Sequence, residues 1–279
     1  MRAKLDEIDG ELHRLMRERT ALARDVWRSK DKSTAALAAV RPAREAQMLA
    51  RFAANHQGEM PLPVLWRIWR ELIIANIRAQ SPIEVHVAAE ANGENDGRGD
   101  KVWDLARAHF GFETQMTRHG AALPAIGAAR QGAVAVVSSA DMAEWGPEVL
   151  SQSGIRIFSA LPQLVTREGA KSAPVAYLIG DVELEPAGAD TSVFGVLADE
   201  ATAKAAAYAE GFKITYALPL KPRHSGLGAA PELTLIGVDG FDAAGKTQSK
   251  AHGEIRWGSC DILALGAHPN ATIWQQEDQ

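Results

Sequence analysis

Polar side chains stand where three amphipathic helices should carry apolar ones. Turned at about 100° per residue, the first helical stretch puts Arg19 in the middle of a stripe made by Leu5, Ile8, Leu12, Leu15, Leu22 and Val26. Lys30 falls one turn beyond Val26, and Arg2 lies towards the edge of the stripe. On a second stretch Glu45 sits beside Met48 and Phe52, with Arg44 flanking it. On a third, Asn76 and Gln80 continue the line of Leu65, Ile68, Trp69 and Leu72. Polar groups at core-facing positions are costly unless paired, and a lone buried charge is avoided almost entirely.

Taken together, these residues form a mostly cationic set with two amides added. That set suits a small, dry pocket for a compact dianion, whose carboxylates guanidinium groups grip through paired hydrogen bonds. No nucleophile, cysteine or histidine dyad is among them, so such a pocket is expected to bind, orient and stabilise charge, without covalent or metal chemistry. Each residue also has a plainer reading. Arg19 alone could set the register of a helix pair. Lys30 could snorkel from a helix end, Asn76 could be a buried specificity residue, and Glu45 could complement a helix start. So many such positions on three helices argue for a shared purpose.

Three elements must position these groups. Residues 3–30 hold no Pro and one Gly, Gly10, and read as one long amphipathic helix. Residues 44–55 read as a short helix. Residues 63–80 read as a third, stopped by Ser81-Pro82. After Pro82 the period changes. Strands are expected at 83–88, 133–138, 156–165 and 173–180, with helices at 103–110 and 123–130, an α/β pattern. Strands at 191–197, 213–218, 232–238, 255–257 and 261–265 with a helix at 201–210 then suggest an α+β unit. The expected organisation is therefore a helical domain over 1–82, an α/β domain over 83–190 and an α+β domain over 191–279.

Composition agrees with a folded protein of this kind. In 279 residues, 46% apolar and 23% charged content excludes disorder as the main state. One cysteine, Cys260, excludes an internal disulfide framework and a multi-cysteine zinc site, and reads as a small core residue. The eight histidines show no metal-ligand spacing. Net charge is +5 over residues 1–82 and −10 over 83–279. The N-terminus is charged from its second residue, unlike a signal peptide, and no uncharged apolar run approaches the roughly 20 residues that span a bilayer. A cytoplasmic protein without a membrane partner is the expectation.

The segments RAKLDEIDGELHRLMRERTALARDVWRSK, RPARE and WRELIIANIRAQ closely resemble the all-helical (type II) chorismate mutase domain, over residues 2–80. The resemblance implies an intertwined homodimer of three-helix chains that needs no cofactor, with chorismate as substrate. It also implies roles. Arg19 and Arg2 would hold the two carboxylates of chorismate, Arg2 reaching in from the second subunit, and Arg44 would add to carboxylate binding. Glu45 would take the ring hydroxyl, Lys30 and Gln80 would bond the ether oxygen, and Asn76 stands where the family often has Ser. Arg41 departs from the pattern, standing where some members carry an acidic residue. Arg2 stands almost at the start of the chain, so either the true start lies upstream or a partner clamps that end. The implied reaction, chorismate to prephenate, is a unimolecular rearrangement in phenylalanine and tyrosine biosynthesis. It selects a compact chair and stabilises negative charge growing on the breaking ether oxygen.

Residues 83–279 resemble, more weakly, the rest of bifunctional chorismate mutase–prephenate dehydratases. TSVFGVLADE, ELTLIGVDGF and DILALGAHP look like parts of an ACT regulatory domain. The functional motifs do not carry over. Val137-Ser138-Ser139-Ala140-Asp141 replaces a Pro-Ile-Glu-Asn-Ser segment, and Val175-Ala176-Tyr177 replaces Thr-Arg-Phe. The effector segments are replaced near 203–206 and 218–222. A dehydratase-like shell without that activity is expected. Residues 240–247 satisfy a phosphate-binding loop pattern but lack a following helix, and read as a hairpin turn. Two alternatives stay open: a working bifunctional mutase–dehydratase, and a non-enzymatic dimerisation or nucleic-acid-binding module. The second needs a basic groove-reading face, whereas Arg14, Arg17, Arg24 and Arg28 alternate with Glu7, Glu11, Glu18 and Asp25.

Overall fold

The computed structural model describes residues 1–29, 35–89, 97–142, 145, 154–220, 232–241 and 255–274, without the side chains of 98 and 255. Lys30 and most of the 240–247 segment lie outside the described residues.

Three helices come first: α1 (Arg2–Ser29), α2 (Pro42–Asn55) and α3 (Leu62–Gln80). On the solvent face of α1, Arg14 donates to Glu11 at 2.7 and 2.8 Å and to Glu18 at 2.8 Å. The alternating charges there form an ordinary solvated face. Pro42 opens α2, where a missing N–H costs nothing. Pro63 stands in the first turn of α3, and Ser81 leaves the helical backbone before Pro82.

The α/β part follows, with β1 (Val85–Ala88), α4 (Arg98–Phe110), β2 (Met116–His119), α5 (Ala122–Ala129), β3 (Val134–Ser138), β4 (Arg156–Leu161), β5 (Leu164–Val165) and β6 (Ala176–Gly180). The chain ends with β7 (Asp190–Val196), α6 (Glu200–Ala209), β8 (Ile214–Leu220), β9 (Leu233–Asp239), β10 (Ile255–Trp257), β11 (Cys260–Pro269) and β12 (Thr272–Ile273). Among the described residues, one mixed sheet runs β2-β1-β3-β6-β4-β11-β7-β9-β8, with β10 on β11. Strand β2 lies outside the sequence expectation because QMTRHG has no apolar run. It is an edge strand, paired only with β1, so it never needs two buried faces.

The sheet crosses the expected boundary at 190 without a break. Strand β11 pairs with β7 along most of its length, then meets β4 at Gly266. Gly266 has φ of +140°, and a Cβ there would stand 2.2 Å from the carbonyl oxygen of Ile157. Only glycine permits that approach.

The core likewise crosses residue 82. Leu49, Trp66, Ile73, Ile74 and Ile77 of α2 and α3 share one cluster with Val85, Val87, Phe110, Val134, Val136, Phe158 and Leu178. A second cluster, on the other face, joins α5 to Val137, Tyr177, Leu235 and Leu265. A third packs α6 against Phe194, Trp257 and Cys260, so the cysteine is a core residue. Helices α2 and α3 therefore pack as one layer over the sheet. Among the described residues, no helix is long and apolar enough to cross a membrane.

One expectation about the helices needs correcting. The stripe of α1 does not face a common interior within this chain. Leu5, Ile8, Leu12, Leu15, Leu22 and Val26 are 45–60% exposed, and residues 1–15 are exposed throughout. The residues of α1 that turn inward are Met16, Arg19, Ala23 and Trp27. They form a different stripe, because α1 leans on α3 only along its C-terminal half. On α3, burial follows Trp66, Arg70, Ile73, Ile74 and Ile77, and Ile68 is exposed. This face meets the sheet layer, while Leu65, Trp69 and Leu72 are only partly covered.

Candidate active site

A cavity of about 850 Å³ lies between the C-terminal half of α1, the first turns of α2 and the C-terminal half of α3. Five of the expected residues line it together: Arg19, Arg44, Glu45, Asn76 and Gln80. Leu22, Met48, Ile73 and Ile77 supply apolar walls. A pocket of this size, mostly apolar with a few convergent polar groups, is the usual form of a small-molecule site.

Arg19 is the most telling member. Its Nη1 is buried without a hydrogen-bond partner. Burial and, after it, the nearby Arg44 guanidinium both push its pKa down. A guanidinium with an unsatisfied buried donor, beside a second, exposed guanidinium, is an arrangement that an anion entering the cavity would stabilise. The start of α2 adds its own positive end.

Glu45 is buried, and its Oε2 is taken by an ion pair with Arg70 Nη1. Arg70 Nε donates in turn to the carbonyl oxygen of His109, at the end of α4, at 2.8 Å. His109 is fully buried, and burial followed by the Arg70 charge holds its pKa well below the usual value, so it is neutral. Asn76 is buried and gives one N–H to Leu72 O at 2.8 Å, which leaves its other N–H and its carbonyl oxygen.

One expected residue, Arg2, is not brought to this cavity. Arg2 is exposed on the free end of α1, roughly 25 Å along the helix from Arg19 at 1.5 Å per residue. Lys30 lies outside the described residues, one position beyond the end of α1. Two residues were missed. Arg70 reads on its own as a surface charge, although its spacing from Trp66, Ile73 and Ile77 marks a buried face. Glu185, 144 positions from its partner, reaches the rim and holds Arg41 at 2.5 and 3.2 Å. Nothing local in the sequence points to it. Among the described residues, no group of three or more His, Cys, Asp or Glu is placed to hold a metal ion.

Comparison with known proteins bears on both parts. No curated protein matches the chain. Among solved structures, the chain is similar to the X-ray structure of prephenate dehydratase from Streptococcus mutans, at 11% identity and a TM-score of 0.40, over 69% of this chain and 100% of that one. It is similar also to GqqA, described as a novel type of quorum quenching acylases, at 12% identity and a TM-score of 0.41, over 67% of this chain and 94% of that one. At such TM-scores neither likeness distinguishes one activity of the α/β part from another. The helical part is different: residues 1–81 match the family described as chorismate mutase type II, the stretch whose helices build the cavity. The first 81 residues are thus a chorismate mutase type II domain, the isomerase part of this chain.

Proposed function

We propose that the chain converts chorismate to prephenate in the α1–α2–α3 cavity, as a cytoplasmic homodimer serving phenylalanine and tyrosine synthesis. The single observation that carries this reading is the unpartnered, buried Nη1 of Arg19, close enough to Arg44 to feel its charge, in the wall of the cavity. In the family's pattern Arg19 grips one carboxylate, with Arg44 beside it. Glu45, whose Oε2 belongs to Arg70, keeps Oε1 for the ring hydroxyl. Asn76 and Gln80 offer amide donors from one face of α3. In the family's pattern Gln80, with Lys30, bonds the ether oxygen and stabilises its growing charge. Removing one such donor typically costs ~10²–10³ in rate. No proton transfer or covalent bond to the protein is needed.

The exposed apolar face of α1 supports the dimer. A continuous apolar stripe along a projecting helix is not left to water in a stable protein. A second copy laid along it covers the stripe and brings Arg2 of the partner subunit towards the open side of the cavity. The test is loss of chorismate absorbance with the full chain, read beside the mass in solution by light scattering. Turnover by a dimer supports the proposal. A monomer that leaves chorismate untouched refutes it. Formation of phenylpyruvate from prephenate would instead show that the α/β part is a working dehydratase.

A further inference from the structure

The connection between β6 and β7 runs along the rim of the cavity. Asp181 accepts from the backbone N–H groups of Ala36 (3.0 Å) and Leu37 (3.1 Å), in the segment that joins α1 to α2. Gln47 Nε2 of α2 donates to Ala187 O at 3.3 Å. Between these points Glu185 takes Arg41 in a two-point ion pair and, with Pro186, forms part of the cavity wall.

Charge explains what this contact does. Arg19, Arg41, Arg44 and Arg51 all line the cavity. Glu45 neutralises none of them, because its partner is Arg70 behind the wall. Glu185 therefore removes one guanidinium from the set that an entering anion meets. The pair is 35% and 39% exposed, so it contributes little to stability. Its effect on the field inside a partly enclosed pocket is larger, because opposite charges at the rim set the potential that a charged ligand feels.

We propose that Glu185 is a specificity-determining residue of the mutase cavity: by holding Arg41 it matches the pocket to a dicarboxylate and disfavours more highly charged anions. The proposal rests on the mutase reading for the identity of the substrate, but not for the charge argument. It places a determinant of the N-terminal site in the α/β part of the chain, over a hundred residues away.

The experiment uses the full chain and the variants Glu185→Gln, Glu185→Asp and the swapped pair Arg41→Glu with Glu185→Arg. Calorimetry measures binding of citrate, a trianion, and succinate, a dianion. Chorismate kinetics are read in parallel, and melting temperatures check folding. Glu185→Gln is expected to tighten citrate binding about five-fold or more and succinate about two-fold. The chorismate KM should fall while kcat changes little. Glu185→Asp and the swapped pair should return both ratios towards the wild type. Citrate and succinate affinities within two-fold of the wild type in Glu185→Gln would overturn the proposal and leave a rim ion pair without influence on the site. Absence of chorismate turnover in the wild type would refute the mutase reading alone, because citrate against succinate still decides the role of Glu185.

Discussion

Arg70 and Glu45 form an ion pair that locks α3 to α2 with side-chain exposures of only 3% and 8%. The same guanidinium reaches the His109 carbonyl in α4, so the wall of the cavity is fastened to the α/β body. Breaking a buried pair from one side strands a charge, which typically costs 3–5 kcal/mol. Arg70→Met should lower unfolding free energy by about that much in urea titrations. Arg70→Met with Glu45→Leu should recover most of the loss without recovering turnover. A single variant within about 1 kcal/mol of the wild type would show that the pair does not hold the wall.

Arg19 should behave in the opposite way. Its neighbour is a like charge and one of its nitrogens has no partner, so the folded protein alone gains nothing from it. Arg19→Ala should leave the melting temperature unchanged or raise it, while kcat/KM for chorismate falls about 100-fold or more. Arg19→Lys should rescue little, because an ammonium cannot form the two-point grip on a carboxylate. Loss of stability with activity kept would invert the assignment.

The exposed stripe of α1 makes a prediction about assembly. Leu12→Glu puts a charge at the centre of the projecting half of the helix, where the side chain is 48% exposed in one chain. It should yield a monomer by light scattering and remove most activity at micromolar concentration. Melting of the α/β part should be nearly unchanged. A dimer that survives this change would place the interface elsewhere.

Acid should weaken the fold through buried histidine. The Tyr177 and Tyr216 hydroxyls meet at 2.7 Å, and Tyr216 meets His268 Nε2 at 3.2 Å. His268 Nδ1 lies 2.9 Å from Pro269 O. With Nδ1–H donating to that carbonyl, Nε2 accepts from Tyr216, so the ring is neutral. Burial lowers its pKa to about 4, against about 6.5 in an unfolded chain. The folded state therefore binds fewer protons between these values. Stability is full above pH 6.5 and declines as pH falls, by about 3 kcal/mol at pH 4 from this group. His109, also held neutral by burial, acts in the same direction. Urea titrations from pH 7.5 to 4.5 should show the decline, and His268→Gln should flatten it. An equal slope in the variant would remove His268 from the account.

Much of this was legible in the residues, and the gaps have physical causes. The three helices read well because a 3.6-residue period and Pro42, Pro63 and Pro82 mark their faces and ends. Arg19, Glu45, Asn76 and Gln80 stood out because polar groups sat where apolar ones belong, and the fold gathers them at one cavity. The stripe of α1 says that something must cover it, but periodicity cannot name the covering surface. Arg70 escaped because the buried face of α3, through Trp66 and Ile77, meets a sheet that no local pattern locates. The continuity of core and sheet past residues 82 and 190 is a property of long-range pairing, such as Gly266 on Ile157. Glu185 on Arg41 is of the same kind.

The central claim is that cations and amides of the first 81 residues fold chorismate and stabilise its breaking ether bond. Its most direct test is the rate of chorismate loss for the full chain beside Lys30→Ala, with product identified as prephenate. Saturable turnover by the wild type is expected, with kcat lower by ~10²–10³ in the variant and KM less affected. No wild-type rate above the uncatalysed reaction, or an unchanged kcat in Lys30→Ala, would contradict it.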